Sequence, residues 1–82
     1  GPGPFPERVN APVTTAKGVA YVHFLPGFDE EVLWQNAPRP ESAVLLRTGD
    51  AVPFHHEDGS LRIKLPSSLR SGSVDVIKLL IP

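Results

Sequence analysis

Gly18-Val19-Ala20-Tyr21-Val22-His23-Phe24-Leu25 is the run from which the rest of the chain takes its meaning. Val19, Tyr21, Val22 and Phe24 are β-branched or aromatic, the types that fit a pleated surface. Side chains alternate between the two faces of a strand, and here both parities are apolar, so neither face is fitted to water. The run therefore predicts a central strand, buried on both sides or lying in one sheet covered by another.

The flanking segments follow the same logic. Pro12 to Thr15 predicts a short edge strand, with proline confined to its start, and Ala16-Lys17-Gly18 predicts a turn. Pro26-Gly27 stops the central strand, and Phe28-Asp29-Glu30 leads into a second run from Glu31 to Trp34. Asn36 to Pro40 holds two prolines and reads as a loop. Ser42 to Arg47 predicts a strand with Val44 and Leu46 on one face and Ala43 and Leu45 on the other. After a turn at Thr48-Gly49-Asp50, Val52-Pro53-Phe54-His55 fits a strand only at an edge or bulge. Asp58-Gly59 is a strong hairpin signal. Leu61, Ile63 and Leu65 then alternate with Arg62 and Lys64, apolar inward and charged outward. Ser67 to Gly72 is a polar loop with a helical turn around Ser68 to Arg70. Ser73 to Ile81 is the last strand, and its adjacent Val76 and Ile77 make it central or bulged. No apolar stripe of helical period extends beyond a turn or two. Seven short strands at about ten-residue spacing predict an all-β fold, a small antiparallel β-sandwich, with an open β-barrel as the alternative.

Composition narrows the function classes. The chain has 82 residues, enough for one small domain. We divide it into an extended arm over residues 1–10 and a single sandwich domain over 11–82. Gly1 and Pro2 match a common scar of tag removal, and Phe5 is the arm's one large apolar side chain. Without cysteine there is no disulfide framework, thiolate metal site or thiol nucleophile. Eight Lys plus Arg against nine Asp plus Glu give a net charge of −1. That balance lacks the basic footprint of a nucleic-acid binder or of a polybasic membrane patch. No run approaches the roughly 20 apolar residues of a membrane-spanning helix, and no basic-then-apolar leader opens the chain.

Two blocks of sequence carry a family resemblance. The first is Gly3-Pro4-Phe5 followed, after an interval, by Thr15-Ala16-Lys17-Gly18-Val19-Ala20-Tyr21-Val22-His23. The second is Ser42-Ala43-Val44-Leu45-Leu46, Thr48-Gly49, Phe54, then Asp58 to Pro66, closing with Val76-Ile77-Lys78-Leu79. Together they resemble the C-terminal β-sandwich domain of the retaining α-L-fucosidases; the 26–40 segment departs from that pattern. The resemblance implies a Gly-Pro-aromatic junction leaving a catalytic barrel, with the barrel as partner and Phe5 placed where the two domains meet. It also implies a secreted, periplasmic or lysosomal parent. The two carboxyl groups of such enzymes stand about 5 Å apart on a (β/α) barrel of roughly 250 residues. No catalytic position therefore transfers onto this chain, and no cofactor is implied.

Four polar or aromatic groupings are candidate sites. His55-His56-Glu57-Asp58 is the densest polar cluster, but strand neighbours point to opposite faces, so the two histidines do not converge on a metal. Asp29-Glu30-Glu31 offers consecutive carboxylates, whereas glycosidase chemistry needs two carboxyls across a cleft in different environments; a solvated turn is the simpler reading. Tyr21, His23, Phe28 and Trp34 either stack on a sugar or fill the core. Trp34 stands next to Gln35 and Asn36, whose amides suit sugar hydroxyls, so these three form the candidate sugar-binding set for fucosylated glycans. Phe5 is the candidate barrel-docking residue. The leading expectation is a non-catalytic accessory domain packed against a glycosidase barrel. The alternatives are a carbohydrate-binding module with an aromatic platform and a free-standing protein-interaction sandwich, which would show an apolar patch or an unpaired edge strand.

Overall fold

The computed structural model describes residues 9–28 and 31–82. Seven strands and one 3-10 turn follow in chain order: β1 Val13–Ala16, β2 Val19–Phe24, β3 Val32–Gln35, β4 Ser42–Leu45, β5 Phe54–Glu57, β6 Ser60–Ile63, the turn Ser67–Leu69, and β7 Asp75–Leu80. They form two sheets, a four-stranded one ordered β1-β2-β7-β4 and a three-stranded one ordered β3-β6-β5. Every neighbouring pair is antiparallel. The sheets stay separate and do not close, so the fold is the all-β sandwich, not the open barrel.

The core lies between the sheets and follows the period-two alternation. Ala20, Val22 and Phe24 of β2, Ala43 and Leu45 of β4, and Ile77 and Leu79 of β7 face Val32 and Trp34 of β3 and Leu61 and Ile63 of β6, all buried. Each large side chain so buried contributes about 1.5–3 kcal/mol of transfer free energy. Ala11, Val52 and Leu65 from the connections join the same cluster. As predicted, β2 is central, held between β1 and β7.

Turn chemistry sets the register. Asp58 (φ 54°) and Gly59 (φ 79°) both occupy the left-handed region, which a two-residue type I′ turn requires, and they pair β5 with β6 from Glu57↔Ser60 onwards. Several boundaries differ from expectation, and two of the shifts have a clear cause in backbone hydrogen bonding. Ser42 to Arg47 ends as a strand at Leu45, because the Gly49 amide donates back to the Leu45 carbonyl at 2.6 Å and turns the chain. The strand expected over Val52 to His55 starts only at Phe54. Val52 instead donates to the Ala43 carbonyl at 2.9 Å, so residues 50–52 lie along β4 before the chain crosses to the other sheet. β7 runs in unbroken register between β2 and β4; it is central and not bulged. Val9 and Asn10, expected in the arm, lie against β3: Val9 bridges Trp34, and the Asn10 amide accepts from the Leu33 N–H (2.8 Å) and donates to the Glu31 carbonyl (3.0 Å).

Candidate docking face

The outward side of the four-stranded sheet is built from the parity that the core does not use. Cross-strand register aligns Thr14, Tyr21, Lys78 and Val44 in one row, and Ala16, Val19, Leu80 and Ser42 in the next. His23 stands opposite Val76, whose carbonyl accepts from the Leu46 amide at 2.8 Å. Val19, Tyr21, Val44 and Val76 are half-buried, while Leu46 and Leu80 are 53% and 41% exposed. None of these six belongs to the core cluster or packs against it. The face is thus apolar, with Lys78 seated between Tyr21 and Val44 and a polar margin where Thr14 Oγ1 lies 3.2 Å from His23 Nε2.

The outward side of the three-stranded sheet is different in kind. It carries His55 and Glu57, 3.1 Å apart, and Arg62, which reaches Glu31 at 3.8 Å. These groups are all exposed, a solvated face on which ion pairs contribute little. Two sheets of one sandwich therefore present water with opposite surfaces.

Comparison with protein-family models, with curated proteins and with solved structures gives no match.

The sequence-derived candidates disperse. Trp34 is 1% exposed, inside the core, so its ring offers no stacking face to a sugar; the alternation that brings Val32 inward takes Trp34 with it. Gln35 and Asn36 remain exposed, and Asn36 (φ 57°) turns the chain out of β3, so the set is not assembled around an aromatic platform. His55 faces outward, whereas His56 is half-buried with Nε2 2.9 Å from the Ala37 carbonyl, the divergence that strand geometry requires. Among the described residues no group of three or more His, Cys, Asp or Glu is placed to hold a metal. Phe28 meets Phe24 edge-to-face at 5.7 Å. Phe5, Asp29 and Glu30 lie outside the described residues.

One polar group that the sequence did not single out is buried deeply. The Asp75 side chain has no exposure; its Oδ2 accepts from Arg70 Nε at 3.0 Å and from the Ser71 amide at 3.1 Å, and Arg47 Nε stands 3.8 Å from Oδ1. Arg70 also donates to the Phe28 and Leu25 carbonyls and covers the Phe24 ring at 5.6 Å. Burial pushes the Asp75 carboxyl up, but hydrogen bonds from Ser71 and the Arg70 hydrogen bond and charge outweigh it. The group sits below the ordinary carboxylate range. This clamp ties the β2–β3 and β6–β7 connections together at one end of the sandwich. Sequence held a faint signal for it, an aspartate on the inward parity that Ile77 and Leu79 otherwise make apolar. The outer apolar face had a stronger one: apolar residues on both parities of β2.

Proposed function

We propose that this chain is a non-catalytic accessory domain that docks through the outward face of its four-stranded sheet onto a larger partner, the (β/α) barrel of an α-L-fucosidase-like glycoside hydrolase. The observation that carries the reading is the asymmetry of the two outer surfaces. Val19, Tyr21, Val44, Leu46, Val76 and Leu80 gather on one sheet, where contiguous apolar area marks an interaction site. The strand and turn resemblance to the fucosidase C-terminal sandwich supplies the class of partner. A fitting barrel surface is apolar, with a carboxylate opposite Lys78. The reading departs from a sugar-binding module because the described tryptophan is in the core.

Amide chemical-shift titration tests this. With the barrel of a retaining α-L-fucosidase, saturable shifts are expected along β2, β7 and β4. With fucose and fucosylated oligosaccharides the spectrum is expected to stay unchanged. Saturable sugar-induced shifts around Tyr21 and Lys78, with none from the barrel, would replace docking with carbohydrate binding.

A further inference from the structure

A strand at the edge of a sheet presents N–H and C=O groups that only another strand, a side chain or water can satisfy. This sandwich has four edges, and three are covered or blunted. Along β4, Ala43 and Leu45 are engaged by Val52 and Asp50. Along β3, the Asn10 side chain takes the Leu33 amide and the Glu31 carbonyl. β5 carries His55, His56 and Glu57, follows Pro53, and has its His56 carbonyl contacted by Arg39 Nη2 at 3.4 Å. Among the described residues β1 has none of these devices. Its sequence, Val13-Thr14-Thr15-Ala16, holds no charge and no proline.

Register identifies the open groups. His23 donates to the Pro12 carbonyl at 2.9 Å, so residues 12, 14 and 16 are the hydrogen-bonded partners of β2. The N–H and C=O of Val13 and Thr15 point the other way, away from the sheet. Among the described residues nothing hydrogen-bonds them.

We propose that β1 pairs antiparallel with β1 of a second copy of this chain, joining two four-stranded sheets into one. A two-fold axis through Thr14 sets Val13 of each copy opposite Thr15 of the other and engages all the open groups in about four backbone hydrogen bonds. The other two-fold registers that do so draw in either the turn at Lys17 or the bend at Ala11. The two Thr14 side chains then meet across the axis, a favourable cross-strand pair. Each Lys17 falls opposite Ala11 of the second copy, so the only charge near this edge among the described residues meets no like charge. The axis also makes the outward apolar faces of the two sheets continuous. This pairing is independent of the docking to a barrel proposed above. It buries far less than the roughly 1,200 Å² of a standard interface, so it forms only at high concentration.

Sedimentation of the 82-residue chain from about 10 µM to about 1 mM tests the pairing. The mass is expected to rise from 8.9 kDa toward about twice that value. Thr15→Pro removes an edge donor while leaving the β1–β2 bonds intact, because proline is tolerated where the N–H faces outward. This variant is expected to stay monomeric with its melting temperature kept. In the unsubstituted chain the Val13 and Thr15 amides are expected to exchange more slowly at the high concentration than at the low one, by at least a fewfold, while Thr14 is unchanged. A monomer at every concentration, or self-association of Thr15→Pro equal to that of the parent chain with no change in edge exchange, would overturn the proposal; a strand from a different protein would then be the occupant to test for β1.

Discussion

Asp75 is where a single side chain decides most. A buried carboxylate is costly unless paired and hydrogen-bonded, and here Arg70 and Ser71 do both at about 3 Å. Because the folded-state group lies below its ordinary value, the unfolded chain binds the proton more readily. The associated stability is fully present above the unfolded value, about 3.9, and is lost as pH falls through the folded one. Denaturant midpoints measured from pH 7 down to 2 are therefore expected to hold steady and then drop below about pH 4. Asp75→Asn is expected to cost about 1.5–3 kcal/mol at pH 7, the range for hydrogen bonds to charged groups. The loss falls short of that of a fully buried pair because Arg70 keeps 18% side-chain exposure. It should also flatten the acid limb; a limb unchanged in the variant would assign the acid transition to other carboxylates.

At the scale of elements, turns and alternation explain both what was legible and what was not. The β5–β6 hairpin was readable from Asp58-Gly59 because few residue pairs accept two consecutive left-handed positions. Gly59→Ala is expected to destabilise the domain by about 1–2 kcal/mol, the cost of forcing an L side chain into that region. An added Cβ there meets only the Asn36 side chain at 4.0 Å, so the loss is conformational and not steric. Thermal melts of the variant beside Asp58→Asn check this, since asparagine tolerates the same φ and should melt close to the parent. The β6 pattern, Leu61 and Ile63 in with Arg62 out, was equally plain because each residue's polarity agrees with its face. Val52 was not legible. Its strand-forming side chain suggested β5, but the Ala43 carbonyl on the other sheet claimed its amide, and such long-range pairing leaves no local mark. Trp34 is buried for a related reason: adjacent amides suggest a sugar platform, while the period-two placement with Val32 takes the ring into the core. The clamp on Asp75 links residues 25, 28, 47, 70 and 71 across three connections, and no spacing in the sequence announces that.

Across the whole molecule, the decisive contrast is between two neighbours on β7. Ile77 points into the core and Val76 points to the outward face of the same sheet, so chemically similar side chains one residue apart serve different ends. Ile77→Ala is expected to lose about 2–5 kcal/mol of stability, as large-to-small core changes do. It is expected to retain partner docking wherever the fold survives. Val76→Lys is expected to change stability by no more than about 0.5 kcal/mol, the usual scale for surface substitutions, because Lys78 already occupies an outward position in the adjoining row. On the docking face, however, it sets an ammonium beside Leu46 and Val44, and closing a partner over an unpaired charge is costly. Titrated with a fucosidase barrel, Val76→Lys is expected to bind at least tenfold more weakly than the parent chain, about 1.4 kcal/mol, while its denaturant midpoint stays put. Undiminished binding by Val76→Lys would move the interface off the four-stranded sheet. A large stability loss in that variant would instead mean that the half-buried outward parity belongs to the fold's own packing, and the two outer surfaces would no longer differ in purpose.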